Sequence, residues 1–537
     1  MRYVFILLAL LPVWGYGQKF SEFQTLLAPR QNDTVQFPTS THAFQHLISA
    51  GEPLTLGGTK GAQSDFTGYV PINGSSRHGY LCINSESFSF GTTGSGGVCV
   101  MEIKYDSTKK AWETLNSRNV NFAGLNGTLA NCSGTVTPWG TMITCEELKV
   151  ALDGNGDGYH DFGWCVEIDP ATATVIDQDG DGKPDKLWKF GSMAHENVSV
   201  PYDSLTFYYG EDNTLTGQDN FIYKFVADEK MKLGAGKLYV LKKTGETTGE
   251  WALIANDSKS NCNNTVQLAK NAGAWYLPRV EDVEFNPFDG KVYVTSTDLG
   301  QVIRFKDDGA TVSEIEVYLD NIDYEIAPGV VATFNKPDNL TFDNDGNLYV
   351  LQDGGFNYIW FVDKAHTPQN PKVTVFACVP RNSEPTGLTF TPDGMFAFWS
   401  VQHPSEALNT IQVDATGKEV KYNRDVTLVM ALKEHLGTGT TQRVETKPTA
   451  VSGLSVFPNP VSDELTLVVE SLISVEATVE VCASVGTVVR AFKHRLSPGT
   501  NRIKIPFADY PRDLYYLVVR ADKEAVSTKV LKPEGKK

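Results

Sequence analysis

Positive charge is what this sequence has least of. Its 47 Lys and Arg stand against 64 Asp and Glu, a net −17 over 537 residues. That deficit excludes a nucleic-acid binder held by phosphate contacts, which needs cations to displace condensed counterions. The shortage is uneven, with −19 before Val451 and +2 from Val451 onward. An acidic body that acts on an anionic substrate needs metal cations to help it. Long apolar runs are missing too. After Val4–Val13 no stretch approaches the roughly 18 to 20 apolar residues of a membrane span, so no transmembrane segment is expected. Cysteine is limited to eight residues, and none stands directly after that run to accept a lipid. Disorder is excluded by what is abundant. Hydrophobic residues make up 41%, with 28 Phe, 21 Tyr and 9 Trp, enough apolar surface to offset the ordering entropy.

The apolar run begins behind Met1-Arg2-Tyr3 and exits through Gly15 and Gly17. A basic start, a short apolar centre and a small-residue exit read as a secretory signal at 1–17. Residues 437–452 turn polar and Thr/Gly-rich, the composition of a linker. From 453 to 537, short apolar runs such as Leu465–Val469, Val479–Val481 and Leu514–Val519 predict a small β-sandwich. Phe457-Pro-Asn-Pro460, Asp513-Leu-Tyr-Tyr-Leu-Val518 and the closing Ser527-Thr-Lys-Val-Leu531 resemble the C-terminal sorting domain of the type IX secretion system of Bacteroidetes. That resemblance implies the secretion machinery as a partner and a destination at the cell surface or in the medium. The alternative is a β-sandwich appendage such as a carbohydrate binder.

The body, 18–436, repeats one pattern. Val283–Val294, Leu340–Val350 and Leu388–Phe398 each set an Asp-Gly turn between two alternating runs, the mark of an antiparallel hairpin. Ser199–Glu211 is a weaker copy. Phe285 and Phe342 stand 57 residues apart, Phe342 and Phe390 48, a spacing that fits one four-stranded blade per copy. The expectation is an all-β chain, a β-propeller of about six blades followed by the small sandwich. A monomer is expected.

Thr137–Glu147 is the most unusual stretch, because Cys145 stands beside Glu146 and Glu147 at the end of an apolar strand. A thiolate with carboxylates attracts a transition metal, whereas a secreted Cys often pairs in a disulfide. Both readings stay open on this segment alone. Other acidic clusters end strand-like runs: His195-Glu196, Glu211-Asp212, Arg279-Val-Glu281-Asp282, Asp338-Asn339 and Asp353. Carboxylates converging from successive blades repel unless cations sit among them. An Arg among them suggests an anionic ligand, since guanidinium matches phosphate oxygens in pairs.

The body resembles the PhoX family of alkaline phosphatases. The carriers, in family order, are Asn131-Cys-Ser-Gly134, Thr137-Pro-Trp-Gly-Thr141, Thr144-Cys-Glu-Glu147, Ala194-His-Glu196, Gly210-Glu-Asp212, Arg279-Val-Glu-Asp282, Pro337-Asp-Asn-Leu340 and Glu384-Pro-Thr-Gly387. The resemblance implies hydrolysis of phosphate monoesters with a cofactor of ferric iron and calcium. It implies Cys145 as the thiolate ligand to iron, and Glu146, Glu196, Glu211, Glu281 and Asp338, with Asp212, as carboxylate ligands. Arg279 would hold the phosphate and Asn339 would assist it. Rival readings are a phosphodiesterase or phytase-like hydrolase, and a non-catalytic, calcium-stabilised binding propeller.

Two further loops follow an oxygen-ligand, Gly-turn pattern. Asp153, Asn155, Asp157 and Asp161 mark the first, and Asp177, Asp179, Asp181 and Asp185 the second. Each resembles the first half of an EF-hand loop without its final Glu, so structural calcium is expected there. Cys82 and Cys99, on apolar runs flanking Gly91–Gly97, are expected to form a disulfide.

Overall fold

Each repeated Asp-Gly pair turns a hairpin. In the computed structural model, Asn286 faces Lys291, Phe342 faces Leu348 and Phe390 faces Ala397 across these turns. Gly290, Gly346 and Gly394 sit at φ +71°, +87° and +69°, values that a Cβ disfavours. The structure describes residues 18–88, 95–213, 219–438, 452–471, 474–483, 488–521 and 524–533. The signal at 1–17 and most of the linker lie outside them.

The chain divides into two compact units, Met1–Gln442 and Arg443–Lys537. In the first, beside two small two-stranded hairpins, most strands form antiparallel groups of four. Three are separate sheets that start at Ser64–Pro71, Asn131–Val136 and Pro337–Phe342. Two more start at His195–Ser199 and Val280–Asn286 and are joined edge to edge by Gly249–Ile254. The last group starts at Glu384–Phe390 and takes its outermost strand, His42–Ser49, from the beginning of the chain. The six starting strands lie side by side in chain order, and the last touches the first. The ring closes because early and late segments pair in one sheet.

Burial on both faces explains why many strands read as continuous apolar runs rather than alternating ones. In Phe396–Gln402, Phe396 and Phe398 enter one inter-sheet core, while Ala397, Trp399 and Val401 enter the next. Trp164, Trp360 and Trp399 are fully buried. Two short helices, Lys259–Asn263 and Thr265–Ala272, depart from the all-β expectation. Ser258 caps the first by accepting from the Asn261 N–H, and Gly273 at φ +80° ends the second. Val266 and Ala269 seal the core of the neighbouring sheet.

The expected Cys82–Cys99 disulfide is corrected. The two strands are neighbours, but Cys82 faces Val100 and Cys99 faces Ile83, one residue out of step. Successive side chains alternate faces, so the sulfurs enter different cores. Both thiols are free.

The second unit holds a three-stranded sheet (Ser452–Phe457, Glu464–Ser471, Gly499–Pro506) and a four-stranded one (Val488–Leu496, Val475–Ala483, Asp513–Ala521, Glu524–Lys532). Their inner faces share one core that includes Leu465, Val479, Phe507 and Leu517.

Candidate metal centre

Every starting strand in the first unit breaks register once, near its beginning. Two residues oppose one between Ser64 and Thr67, Asn131 and Gly134, His195 and Val198, Val280 and Val283, Pro337 and Leu340, and Thr386 and Thr389. A bulge re-aims the extra side chain. Asp65, Cys132, Glu196, Glu281 and Asp338 stand in five of these bulges. Four bulges are entered through a left-handed residue, namely Gln63, Ala130, Arg279 and Lys336, with φ between +41° and +53°. Such non-Gly conformations cost roughly 1–3 kcal/mol each and persist where the surroundings impose them.

A second tier comes from the partner strands. Glu86, Glu147, Asp212, Asp353 and His403 each directly follow the residue paired at the start of its sheet. The two tiers meet. Asp65, Glu86 and Cys132 form a group whose ligand atoms lie within 4.8 Å of one another, and so do Cys132, Glu147 and Glu196. The series continues through Glu196, Glu281 and Asp338 to Asp338, Asp353 and Glu384. Shared members make it one continuous cluster of eight carboxylates and a thiol.

Few cations oppose this charge. Arg279 donates from Nε and Nη2 to Asp212 Oδ2 at 3.1 and 3.0 Å, and its Nη2 also pairs with Glu281. His403 bonds Glu384 at 2.7 Å, which lifts its pKa to about 9. Burial, reinforced by Glu147, pushes the Asp65 carboxyl up to about 7. Burial and then Glu281 drive Glu196 and Asp338 well above the carboxylate range. Burial and the surrounding carboxylates raise the Cys132 thiol well above the ordinary thiol value, and it donates to Glu196 at 3.0 Å. Two carboxylates at 4 Å repel by about 4 kcal/mol at an effective dielectric of 20. These groups therefore hold protons or cations. Asp65 Oδ1, Glu147 Oε2 and Glu196 Oε2 are buried without a hydrogen-bond partner, open positions for metal coordination. The donor set, a soft thiolate among hard oxygens, fits a transition metal together with calcium.

The structure brings together Glu196, Glu281 and Asp338 and sets Arg279 and Asp212 beside them. It does not bring in Cys145, Glu146 or Glu211, and these three expectations are corrected. Cys145 faces Cys165 within the sheet, their sulfurs 3.6 Å apart, and packs with Ile143, Phe190 and Tyr209. Its strand runs straight there, with no bulge to turn it inward. Glu146 points into a pocket of donors: Lys186 Nζ at 2.8 Å and the N–H groups of Leu129, Gly163 and Trp164. Glu211 accepts from the Tyr223 hydroxyl at 2.9 Å. Asn339 is a brace, donating to Asp338 at 3.1 Å and accepting from the Gly387 N–H at 3.0 Å. Unassigned by the sequence reading were the roles of Asp65, Glu86, Cys132, Glu147, Asp353, Glu384 and His403. The available signal was positional, the first or second residue of a starting strand and the residue just past its partner strand.

A family model described as alkaline phosphatase PhoX matches residues 108–405. The chain belongs to the PhoX alkaline phosphatase family. Membership makes it a metal-dependent phosphatase. Residues 455–533 match the secretion system C-terminal sorting domain, which marks this PhoX protein for export. Among solved structures it is similar to Pseudomonas fluorescens PhoX in complex with vanadate, a transition state analogue. Identity is 21% over 78% of this chain and 99% of that one, with a TM-score of 0.60. The periplasmic gluconolactonase PpgL of Pseudomonas aeruginosa shares 11% identity over 87% of this chain and 99% of that one, with a TM-score of 0.33. No curated protein matches the sequence.

Proposed function

We propose that this PhoX protein hydrolyses phosphate monoesters outside the cytoplasm, using ferric iron and calcium held in a six-bladed propeller. Residues 18–436 form that propeller, after a signal at 1–17 and ahead of a linker at 437–452 and a sorting sandwich at 453–537. The observation that carries the reading is Arg279, a guanidinium fastened at the edge of a cluster that demands cations. Carboxylates alone repel a phosphate dianion, whereas a metal-filled cluster flanked by a guanidinium attracts it.

Cys132, Glu147, Glu196, Glu281 and Asp338 would hold the metals, with Asp65, Glu86, Asp353 and Glu384 extending the set. When bound, the metals would supply charge stabilisation and an activated oxygen nucleophile. The remaining work falls to side chains. Arg279, with Nε and Nη2 engaged by Asp212 and Glu281, would present its Nη1 N–H groups to non-bridging phosphate oxygens. Asp212 and Glu281 hold it in place before substrate arrives, so little reorganisation is needed as charge develops. Asn339 ties Asp338 to the neighbouring sheet through Gly387.

The test is p-nitrophenyl phosphate hydrolysis by full-length protein at alkaline pH, alongside elemental analysis. Turnover with both iron and calcium present supports the reading. A metal-replete protein active only on a diester shifts it to a phosphodiesterase. Inertness on both esters leaves a binding propeller.

A further inference from the structure

Two loops outside the phosphatase cluster share one plan. Asp153–Trp164 and Asp177–Trp188 start 24 residues apart and agree at positions one, four, five, six, nine and twelve, as Asp, Gly, Asp, Gly, Asp and Trp. In each, the first Asp accepts the N–H of the sixth-position Gly, at 3.1 Å in the first loop and 2.8 Å in the second. The ninth-position Asp accepts the N–H of the second residue, at 2.9 and 3.0 Å. Such bonds fold carboxylates inward but do not by themselves call for a cation. Asp161 does. It is 7% exposed, its Oδ2 serves the Gly154 N–H, and its Oδ1 is buried with no partner. In the second loop, Asp177, Asp179 and Asp185 bring one oxygen each within 4.8 Å of one another.

Side-chain oxygens at positions one, three, five and nine, with Gly at six, follow the ligand order of a calcium loop. Gly158 and Gly182 make that turn at φ +89° and +85°. Position twelve carries Trp in place of the bidentate Glu. Trp164 and Trp188 meet edge to face at 4.9 Å, and Tyr159 stacks on Trp188 at 4.3 Å. The loops therefore share one aromatic base.

We propose that Asp153–Asp161 and Asp177–Asp185 are a paired calcium site, separate from the phosphatase cluster. Lacking the bidentate Glu, it binds in the weak range of extracellular modules, with Kd of about 10⁻⁴ to 10⁻³ M. Occupancy of the first loop also steadies the ring. Lys186 Nζ donates to the Asp161 carbonyl at 2.6 Å and to Glu146 at 2.8 and 2.9 Å, and Glu146 precedes Glu147 of the cluster.

Terbium is the probe, read on full-length protein by luminescence sensitised through Tyr159, Trp164 and Trp188. Emission is expected in the wild type, displaced by excess calcium and not by equal magnesium. Asp157→Asn and Asp181→Asn each reduce it, and the double variant abolishes it. Glu384→Gln, in the phosphatase cluster, leaves it in place, so failure here is separable from failure of the phosphatase reading. Added calcium raises the wild-type Tm more than that of the double variant, because bound ion stabilises only the folded state. Asp161→Asn, which keeps an acceptor for Gly154, is a second variant of the first loop and is expected to reduce emission as Asp157→Asn does. A double variant with full emission and the wild-type calcium shift in Tm overturns the proposal.

Discussion

Two acidic regions of the first unit are built in opposite ways. The paired loops draw their oxygens from two stretches of nine residues, with ligands two to four positions apart. The central cluster draws one or two groups from each of several sheets, and Asp65 and Glu384 enter it from far ends of the chain. The first kind needs only local turns, so its geometry is written in the spacing. The second needs the ring to close and bulges to aim each side chain, so spacing says little about membership. The two cysteines show this best. Cys145 looks like a ligand because two carboxylates follow it, yet a straight strand buries it in a core. Cys132 has no acidic neighbour in sequence, and its bulge carries it into the cluster.

The sharpest way to break this contrast is to exchange the cysteines' roles. Cys132→Ser should remove iron and take phosphatase activity to the assay floor. Cys145→Ser should keep metal and activity, with only the stability loss of a core thiol. A Cys145→Ser protein that loses iron and activity while Cys132→Ser retains them would reverse the assignment.

Next in size is the pair beside the cluster. Lys186→Met leaves Glu146 charged and buried without its partner and should cost about 3–5 kcal/mol of unfolding free energy. Chemical denaturation monitored by Trp fluorescence reads this directly. An unchanged midpoint would mean that the pair does not brace the site.

Arg279→Ala should leave the metal content intact and lower kcat/KM by about 10²–10³, the range for one preorganised charge stabiliser. Steady-state kinetics with elemental analysis decide the point. A variant with wild-type kcat/KM shows that phosphate is held elsewhere.

The smallest expected effect tests ring closure, which is non-local like the cluster. His42 lies on the early strand that completes the last sheet, bonded to Thr41 at 2.8 Å and the Phe20 carbonyl at 3.0 Å. Burial lowers its pKa to about 4, below the ordinary 6.5. The unfolded chain then takes up the proton first as pH falls. This contribution is complete above pH 6.5 and is lost on descent to pH 4, by up to about 3 kcal/mol. Urea melts of wild type and His42→Gln between pH 7 and 4 should converge toward the acid end. Parallel curves would show that His42 is not buried in its neutral form.

Legibility follows contact distance. The Asp-Gly hairpins could be read because a turn and its flanking strands are contiguous, and all three appear at the expected residues. Glu196, Glu281, Asp338 and Arg279 stand in family-like triplets, and the fold gathers these four side chains in one place. The resemblance pointed to Glu146 rather than Glu147, and a one-residue step along a strand reverses the face. One reaches the cluster and the other meets Lys186. The Cys82–Cys99 expectation failed on the same parity.

What the sequence determined by itself was local and additive: the charge deficit, the hairpin repeat, the sorting tail and the two Asp/Gly turns of the paired loops. Each depends on residues within a turn or two of one another, where hydrogen bonding and side-chain alternation act directly. Tertiary structure alone decided which thiol and which carboxylates share the central cluster. That choice rests on six bulges, on left-handed residues such as Arg279 ahead of them, and on a first strand that pairs with the last. Only the closed ring supplies the packing that holds those strained residues in place and forces like charges together.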